Sequence, residues 1–217
     1  MEDLGRAWTA LRFVGVMMYP LLFLGMLSLI ILLDKAFVYW RYARPPGVLF
    51  TLADTHGFDW PALDQQLAKL GPGNYFGRFS RVIIDHRDKP VWWVESRAGE
   101  EAKQIEKALS RGLWLLETVV TAAPLLGLLG TIAGMMDAFR VISGNGLVEP
   151  ARITGGVAQA LIATALGISI AVVALFIFNF FSRLQSNTLD EMERLGTRLM
   201  EHVRLDQPEK EAPGEVA

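Results

Sequence analysis

Three stretches of this chain contain no charged side chain: residues 13–33, 118–136 and 153–182. At about 1.5 Å of helix rise per residue, roughly 20 apolar residues cross the hydrocarbon of a bilayer. All three stretches are of that order or longer. Soluble helices rarely run so far without a charge, because the face turned to water needs polar groups. The second and third stretches also differ from an ordinary lipid-facing span. Residues 121–139 read TAAPLLGLLGTIAGMMDAF, and residues 155–179 read GGVAQALIATALGISIAVVALFIFN. Gly, Ala and Thr stand where a lipid-facing helix carries Leu, which signals close contact with protein or a polar path. The expected fold is an all-α membrane protein with three transmembrane helices, the last two forming a hairpin.

The rest of the composition narrows the function classes. The formal net charge is −2 and no basic face is visible, so no nucleic-acid partner is expected. There is no cysteine, hence no disulfide framework and no thiolate metal site. His56, His86 and His202 are scattered without metal-ligand spacing. No P-loop and no GxSxG elbow occurs. No enzyme activity, metal or cofactor is therefore expected. Asp85-His86-Arg87-Asp88 reads as a solvated loop. Arg6 and Arg12 precede an apolar run that ends only at Asp34-Lys35, longer than a signal peptide's, so an uncleaved anchor is expected.

Lys35, Arg41 and Arg44 follow the first span, Lys103, Lys107 and Arg111 lead into the second, and Arg183, Arg194 and Arg198 follow the third. The loop between spans two and three has only Arg140 and Arg152. This bias places residues 35–112 and the C-terminal part in the cytoplasm, with the N-terminus outside. The expected order is a tail over 1–12, spans over 13–34, 113–139 and 153–182, and a cytoplasmic helical region over 35–112. An outer loop follows over 140–152, a helical extension over 183–204 and a disordered tail over 205–217. Within 35–112, Pro45-Pro46-Gly47 breaks the first helix. Asp59 is the expected N-cap of a helix to Leu70, and a short helix is expected over 76–86. A proline-free run from about Trp93 to Leu116 predicts one helix rising straight into span two.

Within the hairpin, Pro124, Gly127, Thr131, Gly134 and Ala138 recur at helical spacing, with Gly130 beside them. Ala160, Thr164, Gly167, Ala171 and Ala174 do the same in the third span. The glycines and alanines are expected to let the backbones approach closely. Thr131 and Thr164 either bond back to their own helices or line one polar zone. Around a turn near Asn145 they differ in height by roughly 7–8 Å. No Asp, Glu, His, Lys or Arg lies near the middle of any span. Glu117 and Asp137 sit at the ends of span two, and Gln159 is polar without titrating. A proton relay needs an ionisable or water-binding group at mid-membrane. If protons pass here, a partner must supply the carboxylate.

Residues 123–139, APLLGLLGTIAGMMDAF, followed by 155–179, resemble the ExbB/TolQ/MotA proton-channel family, more so its ExbB/TolQ branch. The lead-in KALSRGLWLLETV at 107–119 is similar as well. The resemblance implies a homo-pentamer in the bacterial inner membrane around two copies of a single-span, ExbD- or TolR-like partner. That partner's transmembrane Asp would carry the proton. Proton flow would drive rotation or rearrangement, with the work passed to a TonB- or TolA-like protein. Thr131 and Thr164 match the family's pore threonines, and Pro124, Gly127 and Gly130 match its second-span motif. A Glu is frequent in the family where this chain has Gln159, which leaves Glu117 and Gln159 as candidate polar or partner contacts. Two other classes compete: a non-conducting scaffold of the same fold, and a small-solute transporter, which would usually show more spans and inverted repeats.

Overall fold

The computed structural model describes residues 17–55, 58–71, 73–145 and 150–207. Among these residues there are seven helices and no strand: α1 Met18–Tyr42, α2 Gly47–Ala53, α3 Trp60–Lys69, α4 Tyr75–Asp85, α5 Val91–Ser110, α6 Leu113–Asn145 and α7 Pro150–Asp206. They form two compact units, one of Met1–Leu33 with Gly112–Phe181, the other of Asp34–Arg111 with Ser182–Ala217.

The first unit holds the apolar parts of α1, α6 and α7. Three helical stretches, Met18–Tyr42, Val91–Phe139 and Ile153–Asp206, are long and apolar enough to cross a membrane. The chain itself buries at most 28% of the most apolar window in any of them. Leu125, Ile132 and Phe139 of α6 and Leu161, Ile168 and Phe176 of α7 stay exposed. An apolar surface so large would drive aggregation in water. Lipid or neighbouring chains must cover it.

The second unit is built on α2 to α5 and the last part of α7. Leu63 and Leu67 of α3, Phe76 and Ile83 of α4, Val94, Ile105 and Leu109 of α5 and Leu195, Leu199 and Val203 of α7 are fully buried. Asn74 caps α4 by accepting from the Gly77 N–H at 3.0 Å, a bond that satisfies one orphan donor of the first turn. His202 lies 2.9 Å from the Ala53 carbonyl oxygen and stacks on Phe58. Asp59 occupies the N-cap position of α3, yet its side chain makes no capping bond.

Several expectations need correction. The helix foreseen over 93–116 is interrupted: α5 ends at Ser110, and Gly112 has φ +85° before α6 begins. Only glycine takes that conformation without strain, so the break is encoded by one residue inside a helix-forming run. The loop foreseen over 140–152 shrinks, because α6 continues to Asn145 and α7 starts at Pro150. The 1–12 tail, His56 and residues 208–217 lie outside the described residues. Helix α2 had no counterpart in the expectation.

Lys35 is more than a membrane-flank charge. It is only 1% exposed and its Nζ donates to the Leu109 carbonyl oxygen at 2.6 Å. That carbonyl is one of the last four of α5, which have no partner within the helix, and a cation there also suits the helix dipole. Lys35→Met keeps the apolar stem but strands the carbonyl. It should destabilise the second unit by on the order of 2 kcal/mol, read by thermal unfolding, with faster amide exchange at the end of α5.

Candidate functional site: the face shared by α6 and α7

The contact between α6 and α7 is made backbone to backbone. Ala123, Gly127, Gly130, Gly134 and Ala138 of α6 are all buried, as are Ala160, Ala163, Gly167, Ala171 and Ala174 of α7. A Cβ on Gly167 would lie 2.5 Å from the Ala123 carbonyl oxygen and 3.0 Å from the Gly127 Cα. A Cβ on Gly134 would lie 2.9 Å from the Gly156 carbonyl oxygen, and one on Gly130 would meet the Ala163 methyl at 2.6 Å. Glycine is required at these positions because nothing but backbone or a short side chain stands opposite. The face holds Gly127, Gly130, Gly134 and Ala138 of α6 and Ala160, Gly167, Ala171 and Ala174 of α7, which the sequence spacing also brings together. Ala123 and Ala163, which the sequence spacing did not single out, join that face, with Gly156, half-buried, toward one end. Pro124, Thr131 and Thr164 lie on its flank, half-buried. The missed signal was the continuation of the small residues at steps of three and four along each helix.

Pro124 stands inside α6. It has no N–H, so the Val120 carbonyl loses its usual donor at that turn. Such a defect is tolerated in a membrane helix where neighbouring groups re-satisfy the carbonyl.

The two threonines are held differently. Thr131 bonds back to its own helix, its Oγ1 donating to the Leu128 carbonyl oxygen at 2.6 Å. Thr164 reaches across, its Oγ1 donating to the Gly127 carbonyl oxygen at 3.2 Å. Thr164 therefore sits at the level of Gly127, four residues or about 6 Å of rise from Thr131 along α6. Both hydroxyl protons are committed to carbonyls. What each hydroxyl still offers is its oxygen lone pairs. Two acceptors one turn apart, on a face without any ionisable side chain, can receive hydrogen bonds from water or from a protonated carboxyl group. They cannot themselves carry a charge.

The remaining candidates are dispersed. Gln159 is half-buried on α7, five residues before Thr164, and Glu117 is exposed near the start of α6. Among the described residues no cluster of His, Asp or Glu could hold a metal ion. Thr118, Thr121 and Ser169, to which the sequence pattern assigns no role, each bond back to their own helix at 2.7–3.4 Å.

Fold and face together define a helical membrane protein whose second and third spans pair through glycine and alanine, with two threonine hydroxyls on the flank of the contact. Comparison with known proteins gives the class a family. A sequence profile of the MotA/TolQ/ExbB proton channel family matches residues 75–194, more than half of the chain. The chain belongs to that family, and its named relatives put it in the ExbB branch, as a proton channel subunit of the MotA/ExbB/TolQ type. It is 29% identical to an ExbB-like biopolymer transport protein of Synechocystis sp. over 85% of its own length and 74% of the relative's. It is 38% identical to the biopolymer transport protein ExbB of Aquifex aeolicus over 42% of this chain and 62% of that one. With the ExbB of Xanthomonas campestris it shares 40% identity over 39% of this chain and 34% of that one. The matched part thus spans less than two thirds of the latter two relatives.

Proposed function

We propose that this chain is the ring-forming subunit of an inner-membrane motor that converts the proton motive force into mechanical work on a TonB- or TolA-like protein spanning the periplasm. Five copies surround two copies of a single-span ExbD- or TolR-like partner, and a membrane Asp of that partner carries the proton past Thr131 and Thr164. The observation that carries this reading is the pair of acceptor oxygens one turn apart on a face with no titratable group. Such a face can assist a proton relay only if another chain brings the acid. The large uncovered apolar surface supports assembly with further subunits. Native mass spectrometry of the protein co-expressed with its partner should give five copies with two. A stable monomer, with or without partner, would overturn the ring. A non-conducting scaffold of the same fold is the competing reading, and proton flux in vesicles holding the complex separates the two.

In this reading the second unit is cytoplasmic and the N-terminus is periplasmic. Ser80 would be a natural position for a labelling cysteine, but it is fully buried. Gln104, exposed on α5, serves instead. Cysteines at Gln104 and at Asn145 should react with an impermeant maleimide from opposite sides of the membrane, Asn145 from the periplasm. The reverse pattern would invert the topology.

A further inference from the structure

The second unit carries a basic cleft that the proton path does not use. It has a volume of about 390 Å³ and is lined by Trp40, Arg41, Arg44, Lys69, Gly71 and Asn74, among others. Among the described residues no acidic side chain lines it. Among the described residues Arg41, Arg44 and Lys69 make no ion pair, so three cations face one space without a counter-charge. The walls are fixed. Asn74 Nδ2 donates to the Arg44 carbonyl oxygen at 3.4 Å, joining the segment after α1 to the start of α4. The Arg44 guanidinium lies 5.6 Å from the Trp40 ring centre and that of Arg41 5.7 Å from the Tyr42 ring centre. A guanidinium held near a ring by a cation–π contact keeps N–H donors free for a planar or tetrahedral oxyanion. Depth points to the source of that anion. Trp40 lies seven residues beyond Leu33 on the unbroken helix α1, about 10 Å along its axis. The headgroup layer reaches roughly 5–7 Å beyond the hydrocarbon, so Trp40 and Arg41 stand at its outer edge, from which long basic side chains reach back to the phosphates. Trp40 is 64% exposed, as befits an aromatic ring at the interface.

We infer that this cleft binds the phosphate of an anionic phospholipid headgroup from the adjoining leaflet. The site needs the membrane placement of α1 but not proton conduction, so its failure would leave the proposed motor untouched. The test is a fluorescence anisotropy titration of the delipidated full-length protein with acyl-labelled phosphatidylglycerol and with labelled phosphatidylcholine. Phosphatidylglycerol should bind at least about tenfold more tightly, since each basic residue at an anionic surface is worth roughly a factor of five. Arg41→Gln/Arg44→Gln/Lys69→Gln should abolish the preference, whereas Arg41→Lys/Arg44→Lys should largely keep it. Arg81→Gln/Lys107→Gln/Arg194→Gln removes as much charge from exposed positions elsewhere and should also keep it. Retention of the preference by the first triple variant, or an equal loss in the second, would overturn the site. Displacement of the labelled lipid by inorganic phosphate with lipid-like affinity would overturn the lipid as its ligand.

Discussion

Thr164→Val is expected to silence proton flux while leaving the protein folded and assembled. Valine keeps the shape of threonine and removes the hydroxyl. The bond lost is the one to the Gly127 carbonyl oxygen at 3.2 Å. That carbonyl also lies within the continuous helix α6, where the backbone N–H four residues on normally serves it. The structural loss is therefore about 1 kcal/mol, small beside the packing of two long helices. The functional loss is of another order. If the oxygen accepts from the water or acid that carries the proton, flux should fall on the order of a hundredfold, the lower end of what a positioned proton-transferring group contributes. Thr131→Val should behave alike, and the double variant should be no worse than the more damaged single one if both oxygens serve one path. Gln159→Glu should be tolerated and Gln159→Leu should impair flux. Normal pH equilibration in vesicles containing either valine variant, at equal protein content, would return the threonines to simple packing.

Gly167→Ala should have the largest effect on stability. The new methyl would stand 2.5 Å from the Ala123 carbonyl oxygen and 3.0 Å from the Gly127 Cα. Both are backbone atoms, so no side chain can swing aside and the helices must part. Overpacking of that kind costs typically about 1–3 kcal/mol, and the backbone contacts on both sides put this site at the upper end. Separation would also pull Thr164 away from the Gly127 carbonyl and so stop conduction. Gly25→Ala is the control. Its methyl would touch only the flexible end of Ile170, at 3.6 Å, and the change should be close to neutral. Equal detergent melting temperatures for the two variants would contradict the tight contact.

Much of this architecture is legible in the sequence, because charge-free runs of membrane length admit few other folds. The helices over 60–69 and 75–85 also follow from local signals, the glycines and prolines that punctuate 71–73 and the region near Pro90. What the sequence hid depends on tertiary neighbours. Arg111-Gly112 looks like ordinary helix until the positive φ is seen. Lys35 reads as a surface charge, since nothing local tells that the carbonyl of Leu109 will face it. In the α6–α7 face, Ala123 and Ala163 went unread for a similar reason. Threonine and proline drew attention to the flank, whereas the seam itself is marked only by residues with almost no side chain. Their partner chemistry, backbone oxygen against glycine Cα, leaves no trace in residue type beyond smallness.

That seam has a mechanical consequence. Side chains that interlock through long, flexible arms can slide by exchanging rotamers, but two backbones separated by little more than van der Waals distance cannot. The paired stretches of α6 and α7 in the first unit are therefore expected to travel together during any working cycle. In a motor of the proposed kind, slip has to occur elsewhere, on the outward faces carrying Leu125, Ile132, Leu161 and Ile168, where deformable hydrocarbon meets whatever lies alongside. The smallest residues in the protein would then decide which surfaces do not move, and the largest apolar ones where motion is allowed.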